Sequence, residues 1–510
     1  MQETELRFHV PIDEMERLRR QIDPRRAAQR RPLAAVYFDS PERRLAAAGI
    51  GLRLRREGRR WVQTAKGPAQ DGITRLEHNV PLPLGQPPQL DLTRHAAHPL
   101  DERLQALGGE DLGPTFRTEI RRSFRALRVP GAQIELALDE GQLLAGEGAA
   151  RLTLPVHELE LELLRGSPGA LLRHAHALVG RLPLSLDLRS KAERGDRLSH
   201  GQLQSPARKA GALRLNADMA PGEALRALLL NCFEQVGANA SQIGAGRSEA
   251  EHVHQLRVGL RRLRSGLRLF RGLWPQLEHP ALPNFEAQAA QWFRALGAVR
   301  DADVLAGELA PTLRAALSDA LPGQDAAAPQ QQTAEAGPAR AAQCVRQAAA
   351  QQFLIEWLGW LDMLRQHPDL VMVAPAAEPL PLRRGLQRRL RRWHRQLRQA
   401  CARFAALSPD ERHRLRKHFK RLRYGLEFAQ GLFDVERQAR RMKPLLKAQT
   451  VLGELNDLEL ALQASRSRLA DSPEAMFELG WLSARRSALL QQCAALMQAV
   501  ADGPDLFRRH

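Results

Sequence analysis

The amino-acid sequence predicts an α+β protein of two domains, an antiparallel β domain over residues 1–205 followed by an all-α domain over residues 206–510. Three observations predict it. Polar and apolar residues alternate with period two through roughly the first 200 residues, as half-buried strands require. From Pro221 onward Ala/Leu/Arg-rich helical periodicity replaces the alternation, and a pair of motifs recurs within that helical half. At 510 residues the chain is also too long for one ordinary core.

Taken in order, the first strand places Glu3, Glu5 and Arg7 on one face and Leu6 and Phe8 on the other, because successive side chains of a strand point to opposite faces. The split recurs downstream. Arg53 and Arg55 oppose Leu52 and Leu54; Glu135 and Asp139 oppose Ile134, Leu136 and Leu138; Glu158, Glu160 and Glu162 oppose His157, Leu159, Leu161 and Leu163. Gly and Pro punctuate the alternation at Pro81 to Pro88, Pro130-Gly131 and Gly166 to Gly169, which reads as turns. One reading of the charged faces is the wet side of an open sheet. Three glutamates on one strand face repel unless cations sit between them, and carboxylate oxygens suit hard divalent cations such as Mg²⁺ or Mn²⁺. Arginines on other strands would then meet a phosphate chain. A closed barrel of about eight strands has room for one small ligand, so the charged faces can point inward.

Several motifs stand in a fixed order: Glu3-x-Glu5-x-Arg7, Tyr37-Phe38-Asp39-Ser40, Leu52-Arg53-Leu54-Arg55, Thr64-Ala-Lys66, Arg75-Leu-Glu77, Glu158-x-Glu160-x-Glu162 and Ser190-Lys191-Ala-Glu-Arg194-Gly195. Over residues 1 to 200 this series resembles the CYTH domain of the triphosphate tunnel metalloenzymes. The resemblance implies an eight-stranded antiparallel β tunnel that holds a triphosphate and one or two divalent metal ions, Mg²⁺ or Mn²⁺. Carried over position by position, it implies Glu3, Glu5, Glu158 and Glu160 at the metal. It places Arg7, Arg53, Arg55, Lys66, Arg75, Arg122 and Lys191 on phosphate oxygens, with Glu3, Glu5 and Lys66 at the reacting end. Alternation does not separate Arg122 from its neighbours Arg117 and Arg121, and Glu162 falls toward the tunnel mouth. The family's first motif ends in Lys where this chain has Arg7; arginine keeps the charge on a wider, planar fork.

The helical half carries the repeat. His254-Gln-Leu-Arg257-Val-Gly-Leu-Arg261-Arg262-Leu-Arg264 matches His413-Arg-Leu-Arg416-Lys-His-Phe-Lys420-Arg421-Leu-Arg423, and Leu296-Gly297 to Asp303 matches Leu452-Gly453 to Glu459 in the same order. The copies are read as about 215–321 and 341–505, with the Ala/Pro/Gln-rich stretch 322–340 as a flexible linker. On a helix His254, Arg257, Arg261, Arg264 and Arg268 form one stripe, as do His413, Arg416, Lys420 and Arg423. Six arginines and no acid lie between His252 and Leu277. Such stripes repel unless an anion or facing carboxylates neutralise them. They resemble the CHAD domain, which implies two related four-helix bundles with a basic surface that binds polyphosphate. Asp301, Asp303 and Asp457 are read as caps or arginine partners.

A net charge of +19 concentrates polyanions and names a partner class only. Aromatics are 5% of residues, and Tyr37 and Tyr424 are the two tyrosines, which argues against stacking platforms for single-stranded nucleic acid. Cys232, Cys344, Cys401 and Cys493 show no metal or disulfide spacing and are read as reduced thiols. No run of roughly 18 apolar residues occurs, so no membrane span is expected. The alternating charges of Met1 to Val10 lead to an expected cytoplasmic location, with polyphosphate granules as a place the basic helices would suit. The leading expectation is metal-dependent hydrolysis of inorganic tripolyphosphate in the tunnel, with long-chain polyphosphate bound by the helices. The alternatives are a polyphosphate sensor without turnover and, more weakly, a nucleic-acid-binding protein.

Overall fold

The computed structural model describes residues 2–23, 28–69, 71–85, 87–108, 111–297, 332–368, 380–433, 435–467 and 474–504, with isolated positions between 312 and 319. Eight antiparallel strands form the N-terminal barrel: β1 (Gln2–His9), β2 (Gln29–Asp39), β3 (Gly51–Glu57), β4 (Arg60–Lys66), β5 (Thr74–Pro81), β6 (Gly113–Val129), β7 (Ala132–Ala145) and β8 (Leu152–Gly166). Neighbours run β5-β4-β3-β2-β6-β7-β8-β1, and β1 pairs back onto β5 to close the ring. The short β9 (Ser185–Leu186) pairs with the end of β1. Closure leaves no strand edge along the ring.

The barrel is charged inside and apolar outside. Leu6, Phe8, Leu159 and Leu161 are fully buried although they face away from the lumen, because helices cover them. Five helices accompany the strands: α1 (Met15–Ile22), α2 (Arg44–Ala47), α3 (Asp101–Gly108), α4 (Pro168–Val179) and α5 (Lys191–Ser199). Leu171, Leu172, Ala175 and Val179 give α4 its buried face against β7 and β8. Leu45, Leu100 and Leu104 join Leu52 and Ala65 in the cluster over β3 and β4. The turn expected from Gly166 to Gly169 is instead a direct passage from strand to helix: β8 ends at Gly166, Ser167 caps α4 and Pro168-Gly169 open it. Proline suits that first helical position, where no amide hydrogen is needed. Gly166 itself has φ +106, and a Cβ there would lie 2.3 Å from the Gly131 carbonyl oxygen.

The second half is helical: α6 (Pro221–Gly244), α7 (Ala250–Phe270), α8 (Leu282–Ala295), α9 (Gln332–Arg346), α10 (Ala348–Gln366), α11 (Leu382–Cys401), α12 (Pro409–Phe428), α13 (Val435–Ser467) and α14 (Glu474–Asp502). In the second copy α11 packs on α12, α12 on α13, α13 on α14 and α14 on α11, a closed four-helix bundle. Ser408 and Glu411 form a capping box at the start of α12. The expected linker is corrected in part. Residues 332–340 are the first turns of α9, because alanine favours helix and Ala341, Ala342 and Val345 pack along the same element; residues 322–331, Asp301 and Asp303 lie outside the described residues.

Contacts divide the chain into two compact units. One holds Met1–Lys209, Phe233–Leu256 and Pro338–Met363, and the other Ala210–Cys232, Arg257–Gly337 and Leu364–His510. Within the first, Leu186 N–H donates to Gln351 Oε1 at 2.7 Å and Leu188 N–H to Ser241 Oγ at 2.9 Å, so parts of α6 and α10 serve as its cover. Cys232, Cys401 and Cys493 are buried and Cys344 is half-buried; none of these thiols forms a disulfide.

Candidate active site

Register decides which charges meet inside the barrel. Lys66 pairs with Glu77 across β4 and β5, Glu3 with Arg75 across β1 and β5, Arg7 with Glu160 across β1 and β8, and Arg122 with Asp139 across β6 and β7. Opposite charges in register stabilise a sheet, whereas Asp139 opposite Glu158 and Glu5 opposite Glu162 disfavour it unless cations intervene.

At one group Lys66 Nζ donates to both Glu3 carboxylate oxygens at 2.9 Å and lies 3.3 Å from Glu77 and 3.7 Å from Glu5. Arg75 Nε lies 3.9 Å from Glu3. Arg7 is turned to its own sheet: Nε is 3.1 Å from Glu5 and Nη2 donates to the Leu188 carbonyl at 3.2 Å. Burial opposes ionisation of Glu77, but Lys66, Arg53 and the hydrogen bonds to the carboxyl together outweigh it, and the carboxyl is pushed down to about 2. Lys66 acts on Glu162 too but does not prevail there. Burial, then Glu3, pushes its carboxyl up to about 7.

At the second group Lys191, the first residue of α5, reaches Glu160 at 2.7 Å and Asp139 at 2.9 Å and also binds Glu158. Arg122 donates to both Asp139 oxygens at 2.7 Å and to Glu160, and Arg194 donates to Glu158. Burial opposes the charges of Asp139, Glu160, Arg122 and Lys191, yet their mutual attraction prevails: Glu160 is held well below the carboxylate range and Lys191 well above the usual amine range. Of the candidate arginines on β6, Arg122 enters the lumen, Arg121 is exposed, and Arg117 lies 3.8 Å from Glu119, a half-exposed carboxylate. Asp139, Glu158 and Glu160 each offer an oxygen within 4.8 Å of the others. Three hard donors on rigid strands fit a small divalent cation such as Mg²⁺ or Mn²⁺. Asp139 was not among the sequence-derived ligands, although its place on the face of Glu135 was visible; Glu3 and Glu5 instead gather around Lys66.

On β3, Arg53 Nη1 donates to the Tyr37 hydroxyl at 3.0 Å, and Arg55 binds Glu57. Burial, then Arg53, pushes Arg55 down to about 10, a crowding of cations that a phosphate chain would relieve. Beyond the charges the lumen turns apolar, with Leu33, Ala35, Tyr37, Phe116, Ile120, Leu143 and Val156 packed on Leu198 of α5. Tyr37 and Phe116 stack with ring centroids 4.4 Å apart. At Gly195 a Cβ would lie 2.0 Å from the Phe116 ring. That glycine lets α5 approach closely enough for Lys191 and Arg194 to reach the carboxylates, a role the sequence motif alone did not explain.

In the helical half, His254, Arg257, Arg261, Arg264 and Arg268 are all half-buried on α7 beside buried Val253, Leu256, Leu260, Leu263 and Leu267, so the expected stripe exists. Its end is neutralised by Glu286 of α8, 2.6 Å from Arg268 and also bound to Arg271. On α12, Arg416, Lys420 and Arg423 are half-buried and His413 is exposed. Arg416 lies 3.6 Å from Asp457, which is therefore an arginine partner, and His413 Nδ1 is 2.7 Å from Asn456 Oδ1. The copies also match in space. Arg257 Nη1 lies 3.3 Å from where a Cβ of Gly297 would be, and Arg416 Nη2 lies 3.8 Å from the equivalent point on Gly453. The sequence repeat is thus a repeat of arginine-over-glycine geometry.

No helix among the described residues is long and apolar enough to cross a membrane. Over 166 residues the chain is 31% identical to an inorganic triphosphatase of Haemophilus influenzae; the match takes in 32% of this chain and spans 45% of that relative's length. The crystal structure of the CHAD domain from the plant Ricinus communis covers 58% of this chain and 97% of its own at 27% identity and a TM-score of 0.46. The PH1819 protein from Pyrococcus horikoshii OT3 covers 34% of this chain and 85% of its own at 22% identity and a TM-score of 0.22. Residues 1–194 match the CYTH domain model and residues 227–466 the CHAD domain model. The charged barrel and the duplicated basic helices are accordingly a CYTH domain and a CHAD domain, and the chain belongs to both families.

Proposed function

We propose that the barrel hydrolyses inorganic tripolyphosphate to diphosphate and phosphate with Mg²⁺ or Mn²⁺, and that the helical domain binds long-chain polyphosphate. The observation that carries the first part is the division of the lumen: clustered carboxylates Asp139, Glu158 and Glu160 on β7 and β8, and crowded cations Arg53 and Arg55 on β3. The domain boundary near residue 205 and the roles of the individual residues are part of the proposal.

Asp139, Glu158 and Glu160 would hold the divalent cation, with Glu3 and Glu5 toward the neighbouring Lys66. When bound, that cation supplies Lewis acidity and a more acidic water. The protein's own groups do the positioning. Arg53, Arg55 and Arg75 grip phosphate oxygens, and Lys66, Arg122 and Lys191 offset the charge that grows on bridging and equatorial oxygens as a water oxygen attacks the terminal phosphorus in line. The bond from that phosphorus to the bridging oxygen breaks, and diphosphate leaves. No protein nucleophile takes part.

Phosphate release from tripolyphosphate, ATP and thiamine triphosphate, each with and without Mg²⁺, tests this reading. Tripolyphosphate is expected to turn over fastest, and EDTA to stop all release without unfolding the chain. Equal rates in EDTA would sink the metal assignment. A sensor without turnover is favoured by one feature: Arg7 is engaged with Glu5 and the Leu188 carbonyl, which withdraws one cation from the substrate. Binding of tripolyphosphate with no phosphate release would establish it.

For the helices, neutralising Arg257 and Arg261 is expected to weaken binding of long-chain polyphosphate about as much as neutralising Arg416 and Lys420. Each variant should flatten the salt dependence by roughly one unit of slope per lost contact, by analogy with nucleic acids. Titrations at several salt concentrations, with DNA as competitor, check this; slopes unchanged in both variants would make the stripes solvated helix faces.

A further inference from the structure

Among the four matched positions of the basic stripe, His254, Arg257, Arg261 and Arg264 against His413, Arg416, Lys420 and Arg423, the two copies differ at one. Arg261 of the first copy is matched by Lys420 of the second, and the difference is chemical, since a guanidinium stays protonated while an ammonium can lose its proton. Lys420 sits on α12 with Arg416 one turn before it and Arg423 after it; α7 packs on α12, with the Arg262 guanidinium 5.0 Å from the Phe428 ring centroid, and the charge of Arg261 on α7 disfavours that of Lys420. The acid acting on it is Asp457 on α13, already 3.6 Å from Arg416. From α11, Arg389 acts on Arg421, and from α7, Arg264 and Arg268 act on Lys417. Among the described residues Lys420 has neither a hydrogen bond nor an ion pair. Burial, then Arg261 and Arg416, pushes its amine down to about 6. His413, the histidine that opens the stripe on α12, is engaged with Asn456.

We propose that Lys420 makes anion capture at the duplicated stripe proton-linked: a polyphosphate segment seated there binds together with one proton, taken from solvent by the Lys420 amine. This rests on the reading of the stripe as a polyphosphate site. An anion among Arg261, Arg416 and Lys420 replaces the cationic surroundings that disfavour the ammonium with a partner that favours it. Above about pH 6 the free site therefore carries a neutral amine and the occupied site a charged one. Affinity is greatest near pH 6 and falls as pH rises, by up to about tenfold per pH unit for one linked proton. The lysine thus makes loading of the site sensitive to small pH changes near neutrality, which an arginine at the same place would not.

The test is calorimetric titration of the full chain with long-chain polyphosphate between pH 6 and pH 8. It is run in EDTA, so that the barrel does not consume the ligand, and in two buffers of different ionisation heat. Internal phosphates of the ligand stay ionised throughout, and the histidines are common to every variant. The wild type is expected to take up close to one proton per site at neutral pH and to lose affinity with rising pH. Lys420→Arg should bind with little pH dependence and lack that proton, and Lys420→Met should bind weakly at every pH without it. Equal proton uptake and equal pH slopes in wild type and Lys420→Arg would overturn the proposal while leaving polyphosphate binding intact. Failure of the wild type to bind at pH 6 would instead remove the polyphosphate reading itself, and this inference with it.

Discussion

Glu160→Gln is expected to lower the rate of tripolyphosphate hydrolysis by about 10²–10³-fold, the scale found when one preorganised charge is removed from a site. Glutamine keeps the shape but loses the charge that faces Lys191 at 2.7 Å and Arg122. It would also leave Asp139 and Glu158 as the remaining carboxylates of the cluster. Lys191 keeps Asp139 at 2.9 Å, so the fold should persist despite the usual penalty of breaking a buried pair. Rates measured against Mg²⁺ concentration, beside circular dichroism melting, separate the two effects. A wild-type rate with unchanged Mg²⁺ dependence would take Glu160 out of the site.

Gly195→Ala is expected to damage the barrel from a position that touches no substrate. The added methyl would meet the Phe116 ring at 2.0 Å. That ring has little room to move, because it stacks on Tyr37 and is buried in the apolar end of the lumen. Overpacking of this kind costs about 1–3 kcal/mol, and at roughly 2–4 °C per kcal/mol for a unit of this size the melting temperature should fall by roughly 2–12 °C. If α5 yields instead of the ring, Lys191 and Arg194 withdraw from Asp139, Glu158 and Glu160, and turnover falls with stability. Phe116→Leu in the same chain makes room for the methyl and should restore part of both. A variant with unaltered melting and turnover would show that α5 does not depend on this close approach.

Much of the site was legible because strands alternate. Knowing that Glu3, Glu5 and Arg7 share a face, and likewise Arg53 with Arg55 and Glu158 with Glu160, needs no coordinates. What alternation cannot supply is register. It left Arg122 undistinguished from Arg117 and Arg121, while pairing of β6 with β7 sets Arg122 opposite Asp139. It also passed over Asp139, which joins Glu158 and Glu160 only through the pairing of β7 with β8. Helices inside a largely alternating segment, such as α4 after Ser167, were hidden by the same glycine and proline that mark turns.

By itself the sequence determined the two-part architecture, the sidedness of each strand and the duplicated basic stripe, because these follow from periodicity and chain order, which are local. Only the tertiary structure decided that the charged faces turn inward, that Lys191 enters the lumen from α5, and that segments 233–256 and 338–363 fold with the barrel rather than with the rest of the helical half. Each of these depends on which distant segments share an interface. Burial then settles the chemistry: in a closed lumen with its apolar surface outside and covered, charges must pair with one another or with a ligand, whereas the same residues on an open sheet would be solvated.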